Sequence, residues 1–414
     1  MTDAQPASAG LTRLALKKSV EELLDEGKAG ALAREQTEFD RLAGPLAQRL
    51  VLFGAGGLGR KTLAGLRHLG IQPLAFADNN SALWDRTVDG VPVLSPAEAA
   101  RRYGQSAAFV VTIWKARATE RMAQREQQLR ELGCRCVLSF GLLFWKYPDV
   151  FLPHYAVDLP HRVHEQAEAI FSTCDLWSDE ASRREYLAQL RWRLHLDFGV
   201  LPDPVGHTIY FPQDLCPLVP GEVFVDCGAF DGDTIRSFLA LPAPSFGKIF
   251  AFEPDPANFL GLQDNLRQCP QREAIVAFQA AVGERQGRVV FSAEGTESSA
   301  LGASGIEVDC VALDDVLKGD VAPTYIKMDI EGAELDALGG ARRVIAEHRP
   351  VLAICSYHRQ DHLWKVPQLI RSIAPDYSFF LRPHLLEVWD LVCYAIPRHR
   401  LSRTLQSQAG EGPR

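Results

Sequence analysis

Three stretches of this sequence concentrate side chains that can do chemistry. The first is Val225-Asp226-Cys227-Gly228-Ala229-Phe230-Asp231-Gly232-Asp233-Thr234, a glycine loop carrying three carboxylates. The second is Tyr325-Ile326-Lys327-Met328-Asp329-Ile330-Glu331-Gly332-Ala333-Glu334, with three acids packed around one turn. The third is Gly54-Ala55-Gly56-Gly57-Leu58-Gly59, a glycine loop without a carboxylate and followed at once by Arg60 and Lys61. The two glycine loops ask for opposite ligands. Acids beside a pyrophosphate cost about 4 kcal/mol per close pair at an effective dielectric near 20. The acidic loop therefore suits a cationic ligand, and the basic one a phosphate held on a helix N-terminus.

A ligand with a sulfonium, an ammonium and no phosphate fits the acidic loop, and S-adenosylmethionine is such a molecule. Glu253, in Phe252-Glu253-Pro254 at the end of the next strand, stands where its carboxylate accepts hydrogen bonds from two ribose hydroxyls. Asp226 would orient the ammonium, Gly228 and Gly232 would clear space, and Asp231 would cap the following helix or help orient the cofactor. The second stretch delivers Asp329 to the carboxyl edge of a sheet, where open α/β folds place ligands. Glu331 follows in the turn, and Glu334 in the first helical turn, where the dipole favours an acid. These acids can hold a substrate, take a proton from an acceptor hydroxyl or bind a divalent cation. A buried run, Val351 to Tyr357, ends at His358, with Asp361 and His362 just beyond. The candidate bases are Asp329, Glu331 and His358, in that order. No metal site is assigned: Cys134-Arg135-Cys136 lacks a second ligand pair at zinc spacing, and so do His358 and His362.

The third stretch, Gly54-x-Gly56-x-x-Gly59, follows a strand, opens a helix and is succeeded by Asp78 at the end of the second strand. That is the context of a dinucleotide fingerprint. It suits a nucleotide or sugar nucleotide; the alternative is a shell that keeps its glycines for packing.

These motifs need scaffolds, and the spacing of apolar residues supplies them. Alternating strands and helices predict two Rossmann-like α/β units, at residues 49–145 and 221–400. A helical arm (1–48) precedes them. A helical connector or cap (146–220) joins them, with a helix over Asp179 to Leu196, and a polar, frayed and flexible tail (401–414) follows. In the second unit the expected strands are Val223–Cys227, Lys248–Phe252, Ile275–Val282, Tyr325–Met328 and Val351–Ser356. A closing antiparallel hairpin follows, Tyr377–Leu381 with Val388–Ile396, and a polar insertion around Arg288–Asp315 has strand-like pieces of its own. The four arginines Arg183, Arg184, Arg191 and Arg193 read as a solvated face.

Composition sets the class. The chain has 414 residues, 47% apolar and 23% charged, which excludes a disordered or fibrous protein. Its net charge of −8 argues against nucleic acid as a partner. No apolar run reaches the ~18–20 residues of a membrane span, and MTDAQPASAG lacks a secretory signal pattern. Nine cysteines, an odd number set mostly in apolar runs, read as reduced thiols of a cytoplasmic protein.

With these residues in place, 209–397 resembles the FkbM family of S-adenosylmethionine-dependent methyltransferases. The matching stretches are VFVDCGAFDGDT, FAFEPDP, VALDDV, YIKMDIEGAELDALGGA and RPVLAICSYH, in the family's order. The resemblance implies a seven-stranded class I methyltransferase fold with a reversed terminal hairpin, and methyl transfer to a hydroxyl of a sugar or another secondary metabolite. By position it implies Asp226, Gly228 and Glu253 as cofactor ligands, and Asp329 and Glu331 at the cofactor–acceptor junction. Phe278-Gln279-Ala280-Ala281 departs from the pattern at Gln279. FGAGGLGRKTLAGLRHLGIQPLAFADNN with VDGVPVLSP is similar to small Rossmann-like domains that bind sugar nucleotides in bacterial glycan-modifying enzymes. The expectation is thus an O-methyltransferase acting on a small-molecule or glycan acceptor, its N-terminal unit binding a phosphate-bearing ligand or presenting the acceptor. The alternatives are a nucleotide-dependent oxidoreductase or epimerase centred on Gly54–Asp78, and a non-catalytic scaffold.

Overall fold

A computed structural model describes residues 10–206, 208–241, 246–269, 271–292, 300–301, 305–319 and 321–410. Two helices, Arg13–Leu24 and Gly27–Ala43, lead into the first α/β unit. Its strands are β1 (Leu50–Phe53), β2 (Ala75–Ala77), β3 (Thr87–Val88), β4 (Val91–Leu94), β5 (Ala108–Val111) and β6 (Cys136–Ser139). They form one sheet in the order β3-β4-β2-β1-β5-β6. β1, β2, β5 and β6 are buried at every position, as parallel strands covered on both faces must be. The antiparallel β3–β4 pair turns at Asp89-Gly90, both with positive φ, the backbone an Asp-Gly hairpin prefers.

The second unit contains β7 (Val223–Cys227), β8 (Lys248–Phe252), β9 (Ile275–Phe278), β10 (Ala281–Val282), β11 (Gly287–Ser292), β12 (Ala300–Leu301), β13 (Ile306–Val311), β14 (Tyr325–Met328), β15 (Val351–Cys355), β16 (Tyr377–Pro383) and β17 (Leu391–Pro397). The main sheet runs β16-β17-β15-β14-β7-β8-β9, seven strands with β17 antiparallel to β15 and β16. This is the two-unit α/β class with the reversed terminal hairpin. One strand differs from expectation. Ile275–Val282 is two strands: β9 closes the main sheet, while β10 crosses into a four-stranded sheet and pairs with β13. The polar insertion forms that second sheet; its residues 293–299 and 302–304 lie outside the described residues.

Between the units run short helices and one long helix, Glu180–His195, capped by Asp179 through the Ser182 N–H. The long helix packs on β16. Of its four arginines, Arg184 and Arg191 form the expected exposed face, paired with Glu180 and Asp197, while the other two do not. Arg193 is buried and donates to the Gln360 carbonyl at 3.1 Å, and Arg183 donates to the Leu11 and Trp177 carbonyls. In the tail, Arg403–Gly410 is helix rather than frayed chain, and 411–414 lie outside the described residues. All nine cysteines are free. Among the described residues no helix is long and apolar enough to cross a membrane.

The units dock through the loop after β5. Trp114 stacks among Trp192, Tyr155 and Trp389, its ring 4.7 Å from that of Trp389. The Met122 N–H donates to Glu387 Oε1, and Arg121 donates to the Leu201 and Pro202 carbonyls and to Asp203. This loop thereby lies beside the β16–β17 turn.

Candidate active site

β7 delivers the acidic loop to the carboxyl edge of the main sheet. Gly228 has φ +82°, and a Cβ there would lie 1.9 Å from the Asp329 carbonyl oxygen, so the two functional loops touch at a point only glycine fills. Glu253, at the end of β8, holds the loop from the other side. Its Oε2 accepts the Phe230 N–H and its Oε1 the Asp255 N–H, both at 2.9 Å. Burial pushes this carboxyl up to about 7. Asp255 in turn caps the helix Pro256–Leu266.

Two acids of the loop do not sit where the sequence reading put them. Asp226 is wholly buried and paired with Lys327 Nζ at 3.0 Å, so it does not orient an ammonium in the cleft directly. Burial raises it to about 6 against the pull of Lys327. Lys327 also donates to the Gly228 carbonyl at 2.6 Å, which makes the pair an anchor for the glycine loop. Asp231 turns away to Arg236 at 2.8 Å, because Gly232 (φ +88°) reverses the chain between them. Asp233, in the first turn of the helix Asp233–Ala240, faces the cleft instead.

The second stretch forms a tight turn after β14, with Glu331 (φ +53°) and Gly332 (φ +103°) both in left-handed conformation. A non-glycine residue there is strained, and the surroundings must hold it. Glu334 does so: fully buried, its Oε1 accepts the Ile330 N–H at 3.0 Å and stands 2.8 Å from His358 Nδ1, while its Oε2 is 3.2 Å from His362 Nδ1. Burial opposes its charge, but the two histidines outweigh that and hold it well below the usual carboxylate range. His358 Nε2 then faces Asp329 Oδ1 at 3.4 Å and Glu331 Oε1 at 3.7 Å. Burial disfavours the imidazolium, yet Glu334, Glu331 and Asp329 overcome it and push His358 up to about 10. His358 therefore keeps its proton at neutral pH, against its place among the candidate bases. Burial raises Glu331 to about 8. Asp329, Glu334 and His358 offer ligand atoms within 4.8 Å of one another; the Glu334–His358 contact makes the group an ion-pair network as it stands.

A cleft opens over these loops. Asp233, Glu253, Asp329, Glu331 and Asp390 line it, against Lys327 and Arg117. Tyr155, Tyr357 and Trp389 form an aromatic wall, with Tyr155 edge-on to Trp389 at 4.8 Å. Sequence reasoning missed these rings and missed Tyr210, whose hydroxyl donates to Asp329 Oδ2 at 2.7 Å. It also missed Lys327, for which a signal existed: a single lysine inside an apolar strand. Ala116 and Arg117, from the N-terminal unit, complete the rim.

The other glycine loop packs tightly at two of its glycines and is exposed at its tip. A Cβ on Gly59 would lie 1.9 Å from the Gly54 carbonyl oxygen, and one on Gly54 2.4 Å from Ile113. Gly56 faces open space. Asp78 accepts the Ala55 N–H on Oδ2 and the Asn80 N–H on Oδ1, both at 2.7 Å. Neither Asp78 nor Gly54, Gly56 or Gly59 lines the cleft described above.

Comparison with known proteins bears on this geometry. Residues 226–381 match the family model of the methyltransferase FkbM domain. No curated protein matches the chain. Among solved structures it is similar to methyltransferase FkbM from Methylobacillus flagellatus KT, at 27% identity over 93% of this chain and 100% of that one, with a TM-score of 0.75. Precorrin-6y C5,15-methyltransferase from Geobacter metallireducens GS-15 aligns at 17% identity over 44% of this chain and 82% of that one; its TM-score of 0.28 carries no argument. The first likeness takes in the N-terminal unit as well as the cleft-bearing one. Residues 226–381 thus carry an FkbM methyltransferase domain, which together with this likeness supports a methyltransferase.

Proposed function

We propose that this protein transfers the methyl group of S-adenosylmethionine to a hydroxyl oxygen of a sugar, a glycan precursor or another secondary metabolite. The observation that carries the reading is the lining of the cleft, where Asp233, Glu253, Asp329, Glu331 and Asp390 gather beside the rings of Tyr155, Tyr357 and Trp389. Carboxylates favour a sulfonium and an ammonium and repel a phosphate. Flat amphipathic rings next to hydrogen-bond acceptors suit an acceptor with an apolar face and several hydroxyls.

The Gly228 loop, Asp233, Glu253 and Asn258 would hold the cofactor above the ends of β7 and β8. When bound, S-adenosylmethionine supplies an electrophilic methyl carbon. The chain's own task is to align the acceptor and remove its proton. Asp329 is the base of choice: it lines the cleft, Tyr210 donates to its Oδ2, and the His358 imidazolium stands 3.4 Å from its Oδ1. Glu331, raised to about 8, is largely protonated at neutral pH and suits donating a hydrogen bond to the acceptor. The same imidazolium lies 3.7 Å from Glu331 Oε1 and keeps that side chain beside Asp329. A positioned base contributes ~10²–10⁴-fold. The N-terminal unit presents the acceptor, through Ala116 and Arg117, rather than binding a nucleotide of its own.

Calorimetric titration of S-adenosylmethionine into wild type and Glu253→Ala tests the cofactor half. Micromolar binding lost in the variant supports the reading. No binding in folded wild type, with NAD bound instead, would move the chemistry to the Gly54 loop. Incubation with methyl-labelled cofactor and a panel of sugars, followed by mass spectrometry, tests the acceptor half.

A further inference from the structure

A second groove adjoins the cleft, and Tyr155 lines both. Its floor and sides include Asp158, Arg162, Arg359, Asp361 and Lys365. Most of these charges are already spent. Arg162 pairs with Asp158 at 2.7 Å, Lys365 with Asp361 at 2.6 Å, and the neighbouring Glu165 with Lys28 at 2.6 Å. Arg359 differs: it is exposed and makes no side-chain hydrogen bond or ion pair among the described residues. It directly follows His358 and lies over the Glu331–Gly332 turn, where its Nε is 3.3 Å from the point a Gly332 Cβ would occupy. Tyr155 holds the wall between groove and cleft with a left-handed backbone (φ +50°) and packs on Trp389 and His154.

We propose that this groove is a second acceptor subsite, in which Arg359 binds an anionic substituent, a phosphate or carboxylate, of a sugar whose hydroxyl reaches Asp329 past Tyr155. The proposal rests on the methyl-transfer reading of the cleft and names its substrate class: an anionic carbohydrate rather than a neutral one. The charge argument is direct. Every other lysine, arginine and acid named in the groove is neutralised within the chain, so the net field there is that of one guanidinium. A guanidinium meets phosphate or carboxylate through two parallel N–H donors. The paired side chains around it still offer donors and acceptors to hydroxyls. The subsite shares only Tyr155 with the lining of the acid-lined cleft, whose field would repel the same anion.

Calorimetry on the full chain with glucose 1-phosphate, glucuronic acid, glucose and inorganic phosphate tests this, with S-adenosylmethionine titrated into the same samples. The expected result is binding of glucose 1-phosphate and glucuronic acid at least tenfold tighter than glucose. Arg359→Ala should weaken it at least tenfold, and Arg359→Lys should restore part of it. Equal affinity for glucose and its phosphate would overturn the proposal, as would binding indifferent to Arg359→Ala. Inorganic phosphate bound as tightly as the sugar phosphate would also overturn it, leaving a bare anion site. Loss of S-adenosylmethionine binding in wild type would refute the reading of the cleft instead. Unchanged S-adenosylmethionine affinity in Arg359→Ala separates a failed subsite from a misfolded variant.

Discussion

The two α/β units solve one problem with the same device. In each, the acid at the end of the second strand reaches back to the glycine loop. Asp78 accepts the Ala55 and Asn80 N–H groups, and Glu253 accepts the Phe230 and Asp255 N–H groups. The acid in this position is thus a structural brace in both. What differs is what the loop faces. The Gly54 loop packs on Ile113 and on itself and keeps its exposed tip out of the cleft's lining, whereas the Gly228 loop meets Asp329 and lines a cleft rich in acidic side chains. A glycine fingerprint followed by an acid specifies a turn; the neighbours of that turn specify a ligand.

The sharpest way to break this contrast is at its glycines. In both Gly228→Ala and Gly59→Ala the new Cβ meets a carbonyl oxygen at 1.9 Å. Gly228→Ala is expected to weaken S-adenosylmethionine binding by roughly 100-fold, equivalent to ~2.7 kcal/mol. Gly59→Ala should lower Tm by several degrees yet leave that affinity within about threefold, because the strain stays in the other unit. Equal loss of binding in both would mean that the units act as one site.

The braces give the next largest effect. Glu253→Ala should cost about 30-fold in S-adenosylmethionine affinity, while Asp78→Ala should leave it unchanged and cost about 1–3 kcal/mol of stability in denaturant unfolding, the cost of orphaned N–H groups. A shared loss of affinity would place a ligand role on Asp78.

Glu253 also makes the contrast visible in pH. Its folded pKa, about 7, lies above that of an unfolded glutamate. The sign follows: its protonated form is favoured in the fold, so its contribution to stability is full below the unfolded value and is lost as pH rises through about 7. Cofactor affinity runs the other way, since the ionised form accepts hydroxyl hydrogen bonds. Calorimetry should find affinity rising up to ~10-fold between pH 6 and 8 in wild type, with a flat profile in Glu253→Gln. The smallest effect belongs to Asp231→Asn. Its carboxylate serves Arg236, so cofactor affinity should change by less than about threefold, within the range of a surface substitution.

Much of the scaffold was legible because buried parallel strands are short apolar runs with sharp ends. Val223–Cys227 and Lys248–Phe252 can be read to the residue. The division of Ile275–Val282 cannot, because the crossing between sheets at Gln279-Ala280 leaves the apolar pattern unbroken. In the cleft, Glu253, Asp329 and Glu331 were legible because each ends a strand or sits in the turn that follows one. Asp226 was misplaced because residue type does not tell on which side of a strand a buried lysine waits. Asp231 and Asp233 differ only by the reversal at Gly232. Tyr155, Tyr210, Trp389 and Arg117 were invisible for a common reason: distant elements bring them together, and spacing along the chain records nothing of that.

The β16–β17 turn has two occupations. Glu387 receives the Met122 N–H and so docks the N-terminal unit, and Asp390, three residues on, lines the cleft with Trp389. The position of one unit against the other is therefore written into the width of the cleft. A few substitutions along the seam of Trp114, Met122 and Glu387 would re-seat the unit and reshape the cleft while leaving both glycine loops and the turn at Asp329 untouched.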